Sequence, residues 1–219
     1  MPLRHPSRPF TPGFAIPACI PEDACGRWNP MNPEEAGDTY TYGIDFNDVV
    51  IGVSENWQRF AEQNRGGSAC LPQNIIGSSL WSHISDWETR QLYEAICGNV
   101  RERQRGATFR FRCDSPEIRR FLILAVTPMP RHSLFFTSQI VRTESRKPVE
   151  LLMADAERSD EFLRICSMCK KIALSTTQWV EVEDAVQKLG LFEMNVMPKF
   201  SHGICQECFA VAMAELDGD

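Results

Sequence analysis

The chain has 219 residues, 43% of them apolar, with a net charge of -6 and a pI near 5.3. That length supports one ordinary core plus a smaller module. The acidic balance argues against a phosphate-backbone binder, which depends on clustered Lys and Arg to release counterions, and no run reaches the roughly eighteen apolar residues of a membrane span.

The N-terminus lacks the basic, apolar and small-residue order of a secretory signal. Nine cysteines, an odd number in a chain this long, fit reduced thiols better than a disulfide scaffold. A cytoplasmic protein is the expectation.

Residues 1–37 carry Pro2, Pro6, Pro9, Pro12, Pro17, Pro21, Pro30 and Pro33. Each proline removes a backbone donor and biases its predecessor away from helix, so a Pro-rich disordered tail is expected there. From Thr39 the pattern changes. Tyr40, Tyr42 and Ile44, then Val49 to Val53, read as two strands around the turn Asp45-Phe46-Asn47-Asp48. Ser54 ahead of Trp57, Phe60 and Ala61 gives a cap and a short helix, ended by Asn64 and Gly66-Gly67.

Gly77 and Ser78 mark a further turn. Between Asp86 and Arg105, Leu92, Ala95, Ile96 and Val100 recur at helical spacing with Asp86 as cap. Three strands follow: the alternation Thr108 to Cys113, the apolar run Phe121 to Val126, and Leu134 to Val141. Asp114-Ser115-Pro116-Glu117 and Pro128-Met129-Pro130-Arg131 turn the chain between them. The fold class is α+β, with a five-stranded antiparallel sheet and helices on one face.

This order, from the hairpin at Tyr40 to Val53 through Gly77 and the long helix to the strand trio closing near Arg142, resembles the PAS sensory fold over roughly half the chain. The resemblance implies a PAS-like domain over residues 38–143 that senses a ligand or a partner. Fold alone does not fix which.

Residues 144–164 read as a linker, expected to be helical. Val149, Leu152, Ala156 and Leu163 form a weak heptad there that leaves a homodimer open. Residues 165–219 then carry two Cys-x-x-Cys pairs, Cys166 with Cys169 and Cys205 with Cys208. A two-residue spacer turns both sulfurs toward one ion, and two such knuckles supply the four ligands of a closed tetrahedral site, most simply structural zinc. Arg164, Lys170 and Lys171 stand where they can offset its formal negative charge. Trp179, Val182, Val186 and Leu189, and the run from Cys208 through Val211, Ala212 and Leu216, predict short helices pinned by the metal.

The blocks Cys166 to Ile172, Trp179, and Ser201 to Cys208 resemble a cysteine-rich C-terminal extension of some bacterial receiver and PAS signalling proteins. Two departures stand out: Ala173 to Gln178 lacks a charged turn frequent in that family, and Gln206 replaces a frequent proline. Neither touches a ligand. The resemblance implies a noncatalytic bacterial signalling or regulatory protein acting through a protein partner.

Other readings of the same residues stay open. The four cysteines can be buried apolar side chains, a redox dithiol, or the ligands of an iron-sulfur cluster, and His202 can replace a thiolate or support one. A zinc-dependent nucleic-acid regulator, or a sensor carrying haem or flavin, is the alternative function. Haem would need an axial histidine, and Glu88 to Arg105 has none; His83 lies just before that helix. Cys70 lacks the flanks of a flavin-reactive cysteine and reads as an inert thiol. Phe109, Phe111, Cys113, Leu122, Leu124, Leu134 and Phe136 either fill a core or line a cavity for an unidentified small molecule. Trp57, Trp81 and Trp87 read as packing residues, and the arginines from Arg101 to Arg120 as a solvated face. No kinase, cyclase or nucleophile-elbow motif appears, so no enzyme activity is expected.

Overall fold

A computed structural model describes residues 38–63, 68–153, 156–194 and 196–218. The Pro-rich tail expected over residues 1–37 lies outside the described residues.

The chain opens with the expected hairpin, β1 (Thr39–Ile44) and β2 (Val50–Val53). Its turn is built by Asp45, whose carboxylate accepts the Asn47 and Val49 amides at 2.8 and 2.9 Å, the local bonding that makes Asp a turn residue. Two short helices follow, α1 (Trp57–Gln63) and α2 (Pro72–Ile75). The long helix α3 (Trp87–Arg103) starts where Asp86 accepts the Thr89 amide at 2.8 Å, satisfying one of its unpaired first-turn donors. The strand trio is β3 (Ala107–Arg112), β4 (Ile118–Pro128) and β5 (Leu134–Ser145).

These five strands form one antiparallel sheet in the order β2-β1-β5-β4-β3. The first strand therefore lies beside the last, and β3 stands at an edge. Alternation sends Tyr42, Ile44, Leu124, Leu134 and Phe136 to the face that meets Leu92, Ile96 and Val100 of α3, all buried. Tyr42 and Phe136 stack across neighbouring strands with ring centroids 4.0 Å apart. Each such fully buried side chain contributes about 1.5–3 kcal/mol of burial free energy.

The helix expected over residues 144–164 does not form. Strand β5 runs on to Ser145 because Ile118 at the start of β4 pairs with it, and Pro148 excludes helix from its predecessor. A short 3-10 turn, Glu150–Leu152, then leads to β6 (Arg158–Cys166). Val149, Leu151 and Ile165 pack into a second core cluster with Leu152, Ala156 and Leu163 against it, so the apolar positions read as a heptad serve a local core.

The cysteine-bearing region is also less helical than expected. It contains β7 (Ile172–Ala173), β8 (Trp179–Val180), α4 (Val182–Lys188), β9 (Met197–Gly203) and α5 (Gln206–Asp217). Its strands make a four-stranded sheet in the order β8-β7-β6-β9, in which β6 and β9 run parallel. Trp179, expected to begin a helix, pairs with Ala173; Val182 and Val186 lie in α4 as expected, and Leu189 caps its end. No helix among the described residues is long and apolar enough to cross a membrane.

Candidate metal centre

Parallel pairing of β6 with β9 sets Cys166 opposite Gly203, so both strands end at the same level and each delivers a knuckle there. In the first, the Lys170 amide donates to the Cys166 carbonyl at 3.0 Å and the Cys166 amide to the Lys171 carbonyl at 2.8 Å. Lys170 closes this turn with φ 61°, a left-handed conformation that disfavours side chains with a Cβ. Its Nζ donates to the Ser167 carbonyl at 2.8 Å, a compensating contact. In the second knuckle Cys205 is the N-cap of α5, its sulfur accepting the Cys208 amide at 3.4 Å.

The four sulfurs lie within 4.8 Å of one another, and Cys169 Sγ stands 3.7 Å from Cys205 Sγ. A tetrahedral ion with metal–sulfur bonds of about 2.3 Å requires sulfur–sulfur edges of about 3.8 Å, so the donor set and its spacing fit a four-thiolate metal site. Cys166 and Cys205 are buried, while Cys169 and Cys208 are half-buried. His202 is not among the clustered ligands. Burial, aided by Lys170, lowers its pKa.

Without an ion, the thiols of Cys166, Cys169 and Cys208 titrate as one set. Hydrogen bonds from the Cys169 and Cys208 thiols hold Cys166 far below the ordinary thiol range. The same bonding raises both Cys169 and Cys208 above the ordinary thiol range. Thiols packed this closely cannot share several negative charges among themselves. A divalent cation at their centre reverses that balance by favouring the thiolate at every ligand.

The site is anchored to the first sheet region by several groups, of which Glu88 and Thr89 were not singled out in the sequence. Glu88, in the first turn of α3, accepts the Ile204 amide at 2.8 Å through one carboxylate oxygen and pairs with Arg164 through the other. Thr89 Oγ1 donates to Ser167 Oγ at 2.7 Å, and the Arg112 amide at the β3 edge donates to the Met168 carbonyl at 2.7 Å. Lys171 pairs with Glu207 at 3.2 Å. Of the three cations expected to offset the site's charge, two are thus engaged with carboxylates and Lys170 with a carbonyl.

Beside the cysteines lies an ion-pair network. Arg112, 7% exposed, meets Asp114 at 2.5 Å and Glu181 at 2.7 Å, and Arg146 meets Asp114 at 3.3 Å and Glu183 at 3.1 Å. Arg119 reaches Glu183 at 2.7 Å. These arginines join the two regions, which corrects the solvated reading for Arg112 and Arg119, whereas Arg103, Arg105 and Arg110 are exposed as expected. Glu88 and Asp114 could not be picked out beforehand: an acid in a helix first turn or in a turn after a strand looks the same with or without a distant partner.

The remaining sequence candidates fall into place. Phe109, Cys113, Leu122, Leu124, Leu134 and Phe136 are buried in the interior, with Phe111 partly buried beside them. Cys70 is buried and its thiol is pushed up to about 11 by burial, as an inert thiol requires. His83 bonds Ser78 Oγ at 2.6 Å. Trp57 is buried and Trp81 donates to Asp48 at 2.9 Å, but Trp87 is 69% exposed and does not pack.

No protein-family model, curated protein or solved structure matches this chain.

Proposed function

We propose that this chain is a noncatalytic bacterial signalling or regulatory protein, in which a PAS-like sensing or interaction domain is coupled to a structural zinc module. The observation that carries the reading is the gathering of Cys166, Cys169, Cys205 and Cys208 within 4.8 Å. Four thiolates leave no position for a reacting water, so an ion held by them shapes the protein and does not perform hydrolysis.

The strand order β2-β1-β5-β4-β3, with the helices inserted between the second and third strands, supports the PAS-like reading. The regulatory reading is supported by the joint between the regions: Glu88, Thr89 and Arg112 tie the sheet and its long helix to both knuckles. A ligand or partner that shifts α3 therefore acts directly on the metal-bearing surface, and a protein partner would meet the output there. Zinc is favoured over an iron-sulfur cluster because a structural joint needs no redox chemistry.

Anaerobic purification followed by metal analysis and an absorption spectrum tests the proposal. One zinc per chain in a colourless sample is the expected result. Visible bands from iron-sulfur, haem or flavin would overturn the structural role, and turnover by the metal-replete protein would overturn the noncatalytic one. Salt-dependent binding to DNA or RNA would move the reading to a nucleic-acid regulator.

A further inference from the structure

The four sulfurs are not equally accessible. A groove of about 410 Å³ runs between the β3 edge and α5, and of the four cysteines only Cys169 and Cys208 line it. Its walls combine the apolar Phe109, Phe121 and Val211 with the charged Arg110, Lys171 and Glu207, a mixed lining that suits a small polar molecule with an organic tail. Cys166 and Cys205, at 0% and 2% exposure, lie behind. The open pair also comes from different knuckles, with sulfurs inside the same 4.8 Å cluster.

We infer that Cys169 and Cys208 are an oxidative modification site, reached through this groove by hydroperoxides and converted to a disulfide that joins the two knuckles. This rests on the proposed metal reading, which keeps both sulfurs as thiolates, the reactive form. One thiolate attacks the outer peroxide oxygen; an S–O bond forms, the O–O bond breaks, and the departing alkoxide or hydroxide takes a proton. The other thiolate attacks the resulting sulfenic sulfur, forming S–S and breaking S–O, and hydroxide leaves to become water. The two sulfurs lose two electrons and the hydroperoxide gains them.

The consequence differs from ordinary zinc-site oxidation within a knuckle. Removing Cys169 and Cys208 as ligands leaves only Cys166 and Cys205, too few to hold the ion. The new bond nevertheless ties the first knuckle to α5, so the ion departs while the region stays stapled together. Excess thiol reductant with added zinc reverses the change.

The test treats zinc-loaded full-length protein with limiting hydrogen peroxide, and in parallel with tert-butyl hydroperoxide. Zinc release is followed with a chromogenic chelator, and disulfides are mapped by mass spectrometry after free thiols are blocked. The expected result is a Cys169–Cys208 bridge as the first product with one zinc released per bridge, and a several-fold slower release by tert-butyl hydroperoxide in Val211→Trp, which narrows the groove at an exposed position and keeps all four cysteines. A first bridge between any other pair of the four cysteines, Cys169 with Cys205 included, or zinc that withstands peroxide, would overturn the inference. A purified chain without zinc breaks the metal reading itself, which this experiment registers separately at the loading step.

Discussion

The two sheets of this molecule are held by different forces. The five-stranded sheet closes over stacked and interdigitated apolar side chains such as Tyr42, Phe136, Leu124 and Ile96. The four-stranded sheet has a smaller core of its own around Val149, Leu151, Ile165 and Ile172; its region shares the first core through Cys166, Met168, Ala212 and Leu216 and adds the sulfur cluster and the ion pairs that border the first region. A small core gains little burial free energy against the entropy of ordering its chain. The comparison teaches that the second region leans on its neighbour, and on the ion its four thiols are proposed to hold, in a way the first does not.

Removing the proposed zinc is the largest way to expose that difference. Zinc bound by four thiolates carries on the order of 10 kcal/mol of free energy linked to folding. A strong chelator, or Cys166→Ala, is therefore expected to unfold the segment from Arg158 to Asp217 while the β1–β5 sheet stays ordered. Amide hydrogen exchange resolved by residue checks this, and simultaneous loss of protection in both regions would show that they form one unit.

Phe136→Ala attacks the other side. Phe136 is fully buried, and truncation of such a side chain costs about 4 kcal/mol through lost transfer energy and cavity formation. Denaturant unfolding should show that cost in the first region with zinc still bound at one per chain.

A substitution at the joint sharpens the comparison further. Asp114 has a side chain 2% exposed and meets both Arg112 and Arg146. Asp114→Asn leaves two guanidinium groups short of a counter-charge in a buried setting, a loss of about 3 kcal/mol. The expected signature is a coupled shift of both regions in thermal unfolding. Arg90→Ala, by contrast, breaks an exposed pair with Glu94 and should change stability by less than about 0.5 kcal/mol.

The smallest effect separates the regions by pH. Burial lowers the His83 pKa below its ordinary value of 6.5. The native state then binds fewer protons than the unfolded chain, so this contribution is fully present above about pH 6.5 and fades as pH falls through the folded pKa. For Glu183, burial raises the pKa, but its backbone amide, Arg119 and Arg146 outweigh that and hold it below 4.5. Its stabilisation is present above that value and is lost at lower pH. His83→Asn should flatten the higher of these two windows in chemical-denaturation curves measured across pH, and Glu183→Gln the lower.

Much of the first sheet was legible in the sequence because its signals are local. Alternation from Thr108 to Cys113, the Asp86 cap and the Asp45 turn each specify an element from neighbouring residues. The cysteine site was legible for the same reason, since each knuckle needs only a two-residue spacer. The segment before it was not. Strand β6, Arg-Ser-Asp-Glu-Phe-Leu-Arg-Ile-Cys, has no clean alternation and is specified by parallel pairing with β9, a partner far along the chain. Glu88 and Arg112 were hidden likewise, because their roles arise only when the two regions meet.

Helix α5 begins at a proposed metal ligand and ends against the other region: Glu215 accepts the Thr108 amide at 3.0 Å, the Leu216 carbonyl accepts from Asn99 at 3.3 Å, and the Gly218 carbonyl accepts from Arg105. It is a strut of about 18 Å fixed at both ends. A tilt of about 10° at its sulfur end would carry the far end through about 3 Å by lever geometry over that length, enough to break those three bonds. Any change in the spacing of Cys205 and Cys208 would thereby be felt in the fit of α5 against β3 and the far end of α3.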